Sequence, residues 1–468
     1  MRSSELIRPL PMSRVAIVAP RTRLRDALVL VADAGAVELV GSLPAPEGEE
    51  AEALRRLERA RPDTTGQPAR LSLAAVDAAT LEATGARGLL AGEVELRRRV
   101  ALTREHGRFA ALVGWTPTRI VPELEERLEQ AGAAVVVLPR PAWVDPPTLF
   151  ESTPVRRSFR PLVTTYGVTP YADVDPTLFA AVSFVVMFGM MFGDVGHGLV
   201  LAALGLFLRR VKRGPLRPFR SLWLFPFTAG IAAAVFGLLY GEAFGPTGLV
   251  PRLWLDPVDR PGPLLVVALA VGAVLLSVSH LYGIVNRWRE AGPGTALVSQ
   301  TGFAGLAALL GGAVAVLGWT ISEPVALFTG LAVLVASGVL LGIGFLAAAG
   351  GGGTGVTQAL VELVDALVRI ASNVLSFTRL AAFGLMHAAL GAIVFAAAAA
   401  LWGGPAGTTA AVVVFVAGSA VAFSLELLVT GIQALRLEFY ELFSRIFAGE
   451  GHPFLPWIVP VATSKEES

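Results

Sequence analysis

The chain has 468 residues, of which 54% are hydrophobic and only 16% are charged, and its formal net charge is +1. A typical soluble domain carries about 25% charged residues, so this composition indicates a multi-span membrane protein. The near-zero net charge argues against nucleic acid as a partner, and the absence of cysteine excludes disulfides and thiolate metal sites.

The first part of the chain, residues 1–176, is predicted to be a small cytoplasmic α/β domain. "SRVAIVAP" is typical of a strand, "RLRDALVLVADAG" of a helix that ends at Gly35, and "AVELVG" of a second strand. A charged helix at 49–60, ended by Pro62, and a second helix at about 89–105 lead to "RFAALVGWTP", "PELEERLEQAG" and "AAVVVLP", which repeat the strand–helix–strand pattern. No signal-peptide core precedes them, so we expect a cytoplasmic location.

Apolar runs dominate the sequence from residue 177, and we predict a transmembrane domain at residues 177–447. About 20 residues cross the ~30 Å hydrocarbon core. The runs lie at about 178–208, 220–241, 262–286, 296–319, 325–349, 358–401 and 409–447. The first is too long for one upright crossing, and "FGMMFGDVGHG" in its middle predicts a break. We therefore predict a helical hairpin and about eight membrane helices in all. The alternative is one tilted span with the N-terminal domain outside.

Basic loops predict the orientation of these helices in a cell membrane. The loop "RRVKRGPLRPFR" at 209–220 and the segment "NRWRE" at 286–290 are rich in arginine, which favours the cytoplasmic side. Alternation from these loops places both termini, including a tail at residues 448–468, in the cytoplasm. The loop 241–262 is the exception to this pattern, because it carries Arg252 and Arg260 on the outer side.

An arginine lies in the middle of the long apolar run at 358–401. An arginine at the bilayer centre costs about 2.5 to 3.5 kcal/mol on insertion scales, so a functional role is the first hypothesis. This residue is Arg379, and the polar residues before it recur at steps of three and four, which places them on one helix face with it. They are Glu362, Asp365, Arg369, Ser372 and Ser376, and His387 lies eight residues after Arg379. The alternative is that the residues of the first turns are merely solvated, which does not explain Arg379.

The last apolar run carries a similar polar face. Its members are Glu426, Thr430, Gln433, Arg436 (or Leu437) and Tyr440. Glu426 lies well inside the run, which favours a proton relay or an ion path. Arg436 lies nearer the cytoplasmic end and has a snorkelling alternative. Weaker candidates for an ion path are Asp194 and His197 at the predicted break, and Glu242 at the outer end of a span.

The stretches that carry these residues resemble the a-subunit, also called subunit I, of the rotary V/A-type ATPases. "YGVTPYADVDPTLFAAVSFVVMFGMMFGDVGHG" is similar to the entry into that family's membrane domain, and "FGLLYGEAFG" to the next span. "SFTRLAAFGLMHAAL" is similar to its penultimate helix and "LELLVTGIQALRLEFYELFSRIF" to its last, and both contain an arginine. The two arginine helices are the most specific part of the resemblance.

The resemblance implies a stator subunit without catalytic activity and without a cofactor. Arg379 matches the family's essential arginine and Arg436 its second one. Other positions that match polar residues of the family are His387, Glu426, Gln433 and Asp365. The implied partners are a ring of small rotor subunits with ion-carrying carboxylates, peripheral-stalk subunits, a central-stalk adaptor and the lipid bilayer. The family's long cytoplasmic helical arm has only short counterparts near 49–60 and 89–105.

Two other functions predict sequence features that differ from those of a stator subunit. A stand-alone secondary ion transporter, with the N-terminal domain as its regulator, predicts an internal repeat with paired broken helices, and the spans before and after residue 300 show no convincing similarity. A membrane enzyme predicts clustered nucleophiles or metal ligands, whereas the five histidines are scattered along the sequence. No GxxxxGK[ST] phosphate loop is present. The choice between H⁺ and Na⁺, and between ATP synthesis and pumping, does not follow from this sequence.

Overall fold

The computed structural model describes residues 8–60, 68–141, 143–350 and 352–462. Within these ranges the chain forms two compact units, one of residues 9–150 with the segment from residue 451, and one of residues 151–450. Pro62, the start of the predicted N-terminal domain and the last six residues of the predicted tail lie outside the described residues.

The first unit is built on an antiparallel sheet. Its strands are β1 (Met12–Pro20), β2 (Glu38–Leu39), β3 (Arg104–His106), β4 (Phe109–Pro117) and β5 (Ala134–Leu138). The order is β2-β4-β1-β5, with β3 also paired to β4. Its helices are α1 (Leu24–Ala34), α2 (Glu49–Ala60), α3 (Ala78–Thr84), α4 (Arg87–Val100) and α5 (Val121–Glu129). Strands β1, β2, β4 and β5, together with helices α1 and α5, follow the β-α-β-β-α-β order of a split β-α-β fold.

Local signals account for most of this unit. Helix α1 ends where predicted, because Gly35 adopts φ +57 and its N–H bonds to the carbonyl of Val31. Strand β2 is much shorter than the predicted "AVELVG", and the carbonyl of Val37, just before it, accepts from the N–H of Trp457 in the chain's last segment. Trp457 and Val459 are buried in the same core. The predicted helix at 89–105 ends at Val100, and the residues beyond it enter β3.

The second unit is all helical. Its helices are α6 (Pro154–Tyr166), α7 (Thr177–Met191), α8 (Val195–Arg210), α9 (Leu224–Tyr240), α10 (Pro261–Ala291), α11 (Pro293–Val298), α12 (Phe303–Thr320), α13 (Pro324–Ala348), α14 (Gly352–Ser376), α15 (Thr378–Ala400), α16 (Gly404–Leu437), a π-helical turn (Glu438–Phe443) and α17 (Ser444–Ile446). This architecture, mainly helical with a small α/β region, confirms the predicted fold class.

Five helical stretches of the described chain are long and apolar enough to cross a membrane. They are Pro261–Ala291, Pro293–Thr320, Pro324–Ala348, Gly352–Ala400 and Gly404–Ile446. Helices α7, α8 and α9 have 15, 16 and 17 residues, which corresponds to only about 23 to 26 Å. Eight crossings therefore remain a prediction.

Two helix breaks lie beside predicted site residues. The first separates α7 from α8 within the predicted "FGMMFGDVGHG", and Asp194 caps α8 by accepting from the N–H of His197 at 2.8 Å. The second separates α14 from α15 at Phe377, which the sequence did not predict. The fully buried Phe377 ring lies against Gly272 of α10, so packing positions this break two residues before Arg379.

Candidate functional site

Arg379 begins the second half of the broken helix and pairs with an acid of the π-helical turn. Its Nη1 donates to Oε1 of Glu441 at 3.2 Å. The arginine side chain is 28% exposed and the glutamate only 6%. The pair therefore lies at the edge of the packed helices, where one side of the guanidinium is held by protein and the other is open.

Glu441 is the functional candidate that the sequence reading missed. A spacing of three and four residues marks one face only along an α-helix, and π-helical turns interrupt that spacing. The available signal was compositional, because Glu438 and Glu441 are two acids close together near the end of a long apolar run. Glu438 is also buried, and both of its carboxylate oxygens accept from the Ser183 hydroxyl, at 2.9 and 2.8 Å.

Arg436 and Glu441 share one cavity of about 480 Å³ at the end of α16. It is lined by Ile432, Leu435, Arg436, Phe439, Tyr440 and Glu441. Glu441, the partner of Arg379, therefore lines the same cavity as Arg436. Gln433 lies one turn before Arg436, and its buried Oε1 has no hydrogen-bond partner among the described residues.

The other predicted residues of the α14 face make local contacts. Glu362 accepts from Gln358 at 2.9 Å, Asp365 pairs with Arg369, and the Ser376 hydroxyl donates to the carbonyl of Ser372 at 3.1 Å. In the part of the chain that the structure describes, no hydrogen bond joins them to Arg379. The predicted continuous face is interrupted by the break at Phe377.

A second group of predicted residues meets in a buried cluster. We call it the acid–histidine cluster, and it consists of Asp194, His197, Glu242, His387 and Glu426. All five side chains are buried. Nδ1 of His387 lies 2.5 Å from Oε2 of Glu426, and the His197 and His387 rings are 5.8 Å apart between centroids. Four separate stretches of sequence thus contribute to one polar site among apolar helices.

Hydrogen bonds at the break between α7 and α8 hold this cluster together. Asp194 uses one carboxylate oxygen to cap α8, and its Oδ2 accepts from the N–H of Gly245 at 2.8 Å. The carbonyl of Glu242 in turn accepts from the N–H of Val195 at 2.9 Å. Two hydrogen bonds therefore hold the start of α8 against the loop that follows α9.

Several buried atoms of the site have no protein partner within the described ranges. They are both ring nitrogens of His197, Oε2 of Glu242, Oε1 of Glu426, Oε1 of Gln433 and Oε2 of Glu441. Most buried polar atoms in proteins are hydrogen-bonded. These atoms can each still donate or accept a hydrogen bond. They are therefore suited to exchange protons with water or to bind an ion.

Outside the membrane-spanning helices, the buried acid Asp173 has a raised pKa. Asp173 lies in the segment before α7 and is fully buried. Burial first, and then the neighbouring Glu290, raise the pKa of Asp173 to about 8, against the opposing charges of Arg287 and Arg289. This carboxyl group is therefore largely protonated at neutral pH.

Known proteins with similar sequences agree with the resemblance inferred from the arginine helices. The V-type ATPase 116kDa subunit family matches residues 101–218. The A-type ATP synthase subunit I of Pyrococcus horikoshii is 26% identical over 374 residues, covering 76% of this chain and 55% of that protein. The chain is related to the V-type ATPase 116kDa subunit family.

Further relatives carry the same name. The A-type ATP synthase subunit I of Aeropyrum pernix is 27% identical over 413 residues, covering 78% of this chain and 58% of that protein. That of Archaeoglobus fulgidus is 36% identical over 135 residues, covering 29% of this chain and 19% of that protein. The chain spans little more than half the length of its longer matches. With five long apolar helices among the residues that the structure describes, this relative of the V-type ATPase 116kDa subunit family is a multi-pass membrane protein.

Proposed function

We propose that this chain is the stator membrane subunit of a rotary V/A-type ATPase, in which it provides the ion half-channels and the essential arginine. The observation that carries the proposal is the Arg379–Glu441 pair at the edge of the helix bundle, linked to Arg436 by a common cavity. The names of the relatives, subunit I of A-type ATP synthases, support the same assignment.

Arg379 discharges the rotor in this proposal. A ring carboxylate that moves through lipid must be neutral, since an ionised one is too costly in hydrocarbon. Beside Arg379 the anionic form becomes stable, because the guanidinium remains positively charged. The carried H⁺ or Na⁺ then leaves into the adjoining half-channel. A lysine would serve less well, because a buried ammonium group can lose its proton.

Glu441 prepares Arg379 for this exchange. Before a ring carboxylate arrives, Glu441 pairs with one side of the arginine and holds it in place at 3.2 Å. The arriving carboxylate competes with Glu441 for the open side of the guanidinium. When it moves on, Glu441 again stabilises the arginine. The fixed positive charge also repels cations, which prevents a direct leak between the two half-channels.

The acid–histidine cluster forms the half-channel that opens to the non-cytoplasmic side. A cavity of about 240 Å³ extends from buried Glu242 to Asp256 and Asp259 in the loop after α9. From Glu242 the path continues through the His387–Glu426 pair to Gln433, which is seven residues further along α16. Seven residues of helix span about 10 Å. Gln433 therefore lies between Glu426 of the cluster and Arg436 along α16.

The partners follow from this role. A ring of carboxylate-bearing rotor subunits docks near Arg379, peripheral-stalk subunits and a central-stalk adaptor contact the cytoplasmic side, and other subunits carry out ATP chemistry. The chain itself is not catalytic. Its N-terminal unit and its termini lie in the cytoplasm, and the helical unit spans the cell membrane.

The experiment that tests the proposal is Arg379→Ala in the assembled complex, with ATP-driven ion pumping as the measurement. We expect loss of pumping with assembly retained, because a neutral side chain cannot stabilise the ring anion. Arg369→Ala is the matched control. It removes an exposed arginine of the neighbouring helix, and exposed ion pairs contribute little. Pumping near the wild-type rate in Arg379→Ala would refute the proposal. Ion movement by the purified chain alone in liposomes would favour a secondary transporter.

A further inference from the structure

Three side chains of the acid–histidine cluster have the composition of a metal site. Asp194, His197 and His387 each offer one ligand atom, and these atoms all lie within 4.8 Å of one another. All three side chains are buried. One carboxylate and two imidazoles are a common set of three protein ligands for a zinc ion that keeps a fourth position open.

The hydrogen bonds of the cluster prepare His387 to be a ligand. With Glu426 as acceptor, Nδ1 of His387 carries its proton, which leaves Nε2 of the neutral ring with a free lone pair. A carboxylate behind a metal-binding histidine orients the ring and increases its basicity. Glu426 thus occupies the place of an outer carboxylate behind a histidine ligand.

His197 provides the second, independent observation. Its side chain is only 5% exposed, and neither ring nitrogen has a hydrogen-bond partner among the described residues. The rings of Phe192, Phe244 and Phe423 surround it with centroid distances of 6.0, 5.3 and 5.5 Å. A buried polar group without a partner is unfavourable. A metal ligand bond would satisfy one of these nitrogens.

Charge also favours a divalent cation. Asp194 as a ligand and Glu426 behind His387 supply two negative charges, which balance one divalent ion inside an apolar surrounding. Ligand atoms around tetrahedral zinc are roughly 3.3 Å apart, given bonds of about 2.0 to 2.2 Å. In the structure, Nδ1 of His197 and Oδ1 of Asp194 are 3.9 Å apart, and the ligand atoms of all three residues lie within 4.8 Å of one another.

We propose that Asp194, His197 and His387 form a binding site for a divalent transition-metal ion such as Zn²⁺, entered through the cavity beside Glu242. Asp256 and Asp259 of this cavity pair with Arg252, at 3.0 and 3.5 Å, so the buried carboxylate of Glu242 is the acid of the lining that attracts a cation toward the cluster. Imidazole ligands favour zinc over magnesium or calcium. If the proposed half-channel is correct, an ion bound here also blocks it, and this second consequence rests on the proposed function.

Binding is tested on the full-length chain in detergent, without rotor subunits and after removal of any affinity tag. Co²⁺ is titrated and its visible absorption recorded, followed by displacement with Zn²⁺. We expect one equivalent of zinc-displaceable tetrahedral Co²⁺ in the wild type. The affinity should fall at least tenfold in His197→Gln and in His387→Gln, and about 10- to 100-fold in Glu426→Gln.

His280→Gln is the matched control, because His280 is also buried in a helix of the same unit but bonds to the carbonyl of Leu276 outside the cluster. Its titration should equal that of the wild type. X-ray absorption of the zinc-loaded wild type provides a measurement that needs no variant, and it should reveal two imidazole ligands. A folded wild type without tetrahedral Co²⁺, a zinc shell without imidazole, or unchanged binding in both histidine variants would overturn the site. Because none of these readouts involves pumping, they are independent of the proposed function.

Discussion

Arg379 and Glu441 are 62 positions apart in the chain and meet at 3.2 Å. Arg379 was identifiable from sequence alone, because a single charge in a long apolar run is costly wherever the helix packs. Glu441 was not, because its neighbours include other charges and its face depends on a π-helical turn. At the residue scale, the sequence therefore reveals the costly charge but not its partner.

Glu441→Gln tests the role of this partner in the assembled complex. The amide keeps the size of the side chain but removes the negative charge that competes with the ring carboxylate. We expect ATP-driven pumping to fall roughly tenfold, equivalent to about 1.4 kcal/mol, because the ring anion then leaves Arg379 more slowly. The control is Glu323→Gln, an exposed acid at the start of α13. Wild-type pumping in Glu441→Gln would show that Arg379 needs no counter-ion from this chain.

At the scale of elements, helix breaks position the site. The α7–α8 break was predictable, since Gly193 and Asp194 interrupt an apolar run and Asp194 is a residue type that caps the start of a helix. The break at Phe377 has no local signal in the sequence. It coincides with the place where Phe377 packs against Gly272 of α10, and a Cβ at Gly272 would lie 2.3 Å from Cγ of Phe377.

Gly272→Ala is predicted to disturb Arg379 through this contact. The added methyl group overpacks a buried ring, which typically costs about 1 to 3 kcal/mol. We expect a lower thermal unfolding temperature in detergent and reduced pumping in the complex. Gly262→Ala in the same helix is the control, since nothing lies within 4 Å of a Cβ there. Equal unfolding temperatures for the two variants would contradict the proposed packing of the break.

At the scale of the whole molecule, the open question is how many helices cross the membrane. Five stretches of the described chain are long enough, and the shorter helices α7, α8 and α9 account for the difference from the predicted eight. A short span is compatible with a membrane protein where neighbouring helices or local thinning of the bilayer accommodate it.

A topology reporter tests this count. Placed at residue 215, in the basic loop after α8, it should map to the same side as the N-terminal unit, because α7 and α8 then enter and return as a hairpin. A reporter at residue 322, in the loop between α12 and α13, should map to the opposite side. Should residue 215 lie opposite the N-terminal unit, the hairpin and the count of eight crossings would both be wrong.

The sequence by itself determined the membrane class, the apolar helices, the α7–α8 break and the isolated Arg379. These features depend on local composition and helical periodicity, which a chain carries wherever it folds. Only the tertiary structure decided the Arg379–Glu441 pair, the break at Phe377 and the meeting of His387 and Glu426 with Asp194. It also decided that Trp457 completes the core of the first unit. Such contacts join distant segments, and they depend on how whole helices and strands pack together, which no local pattern encodes.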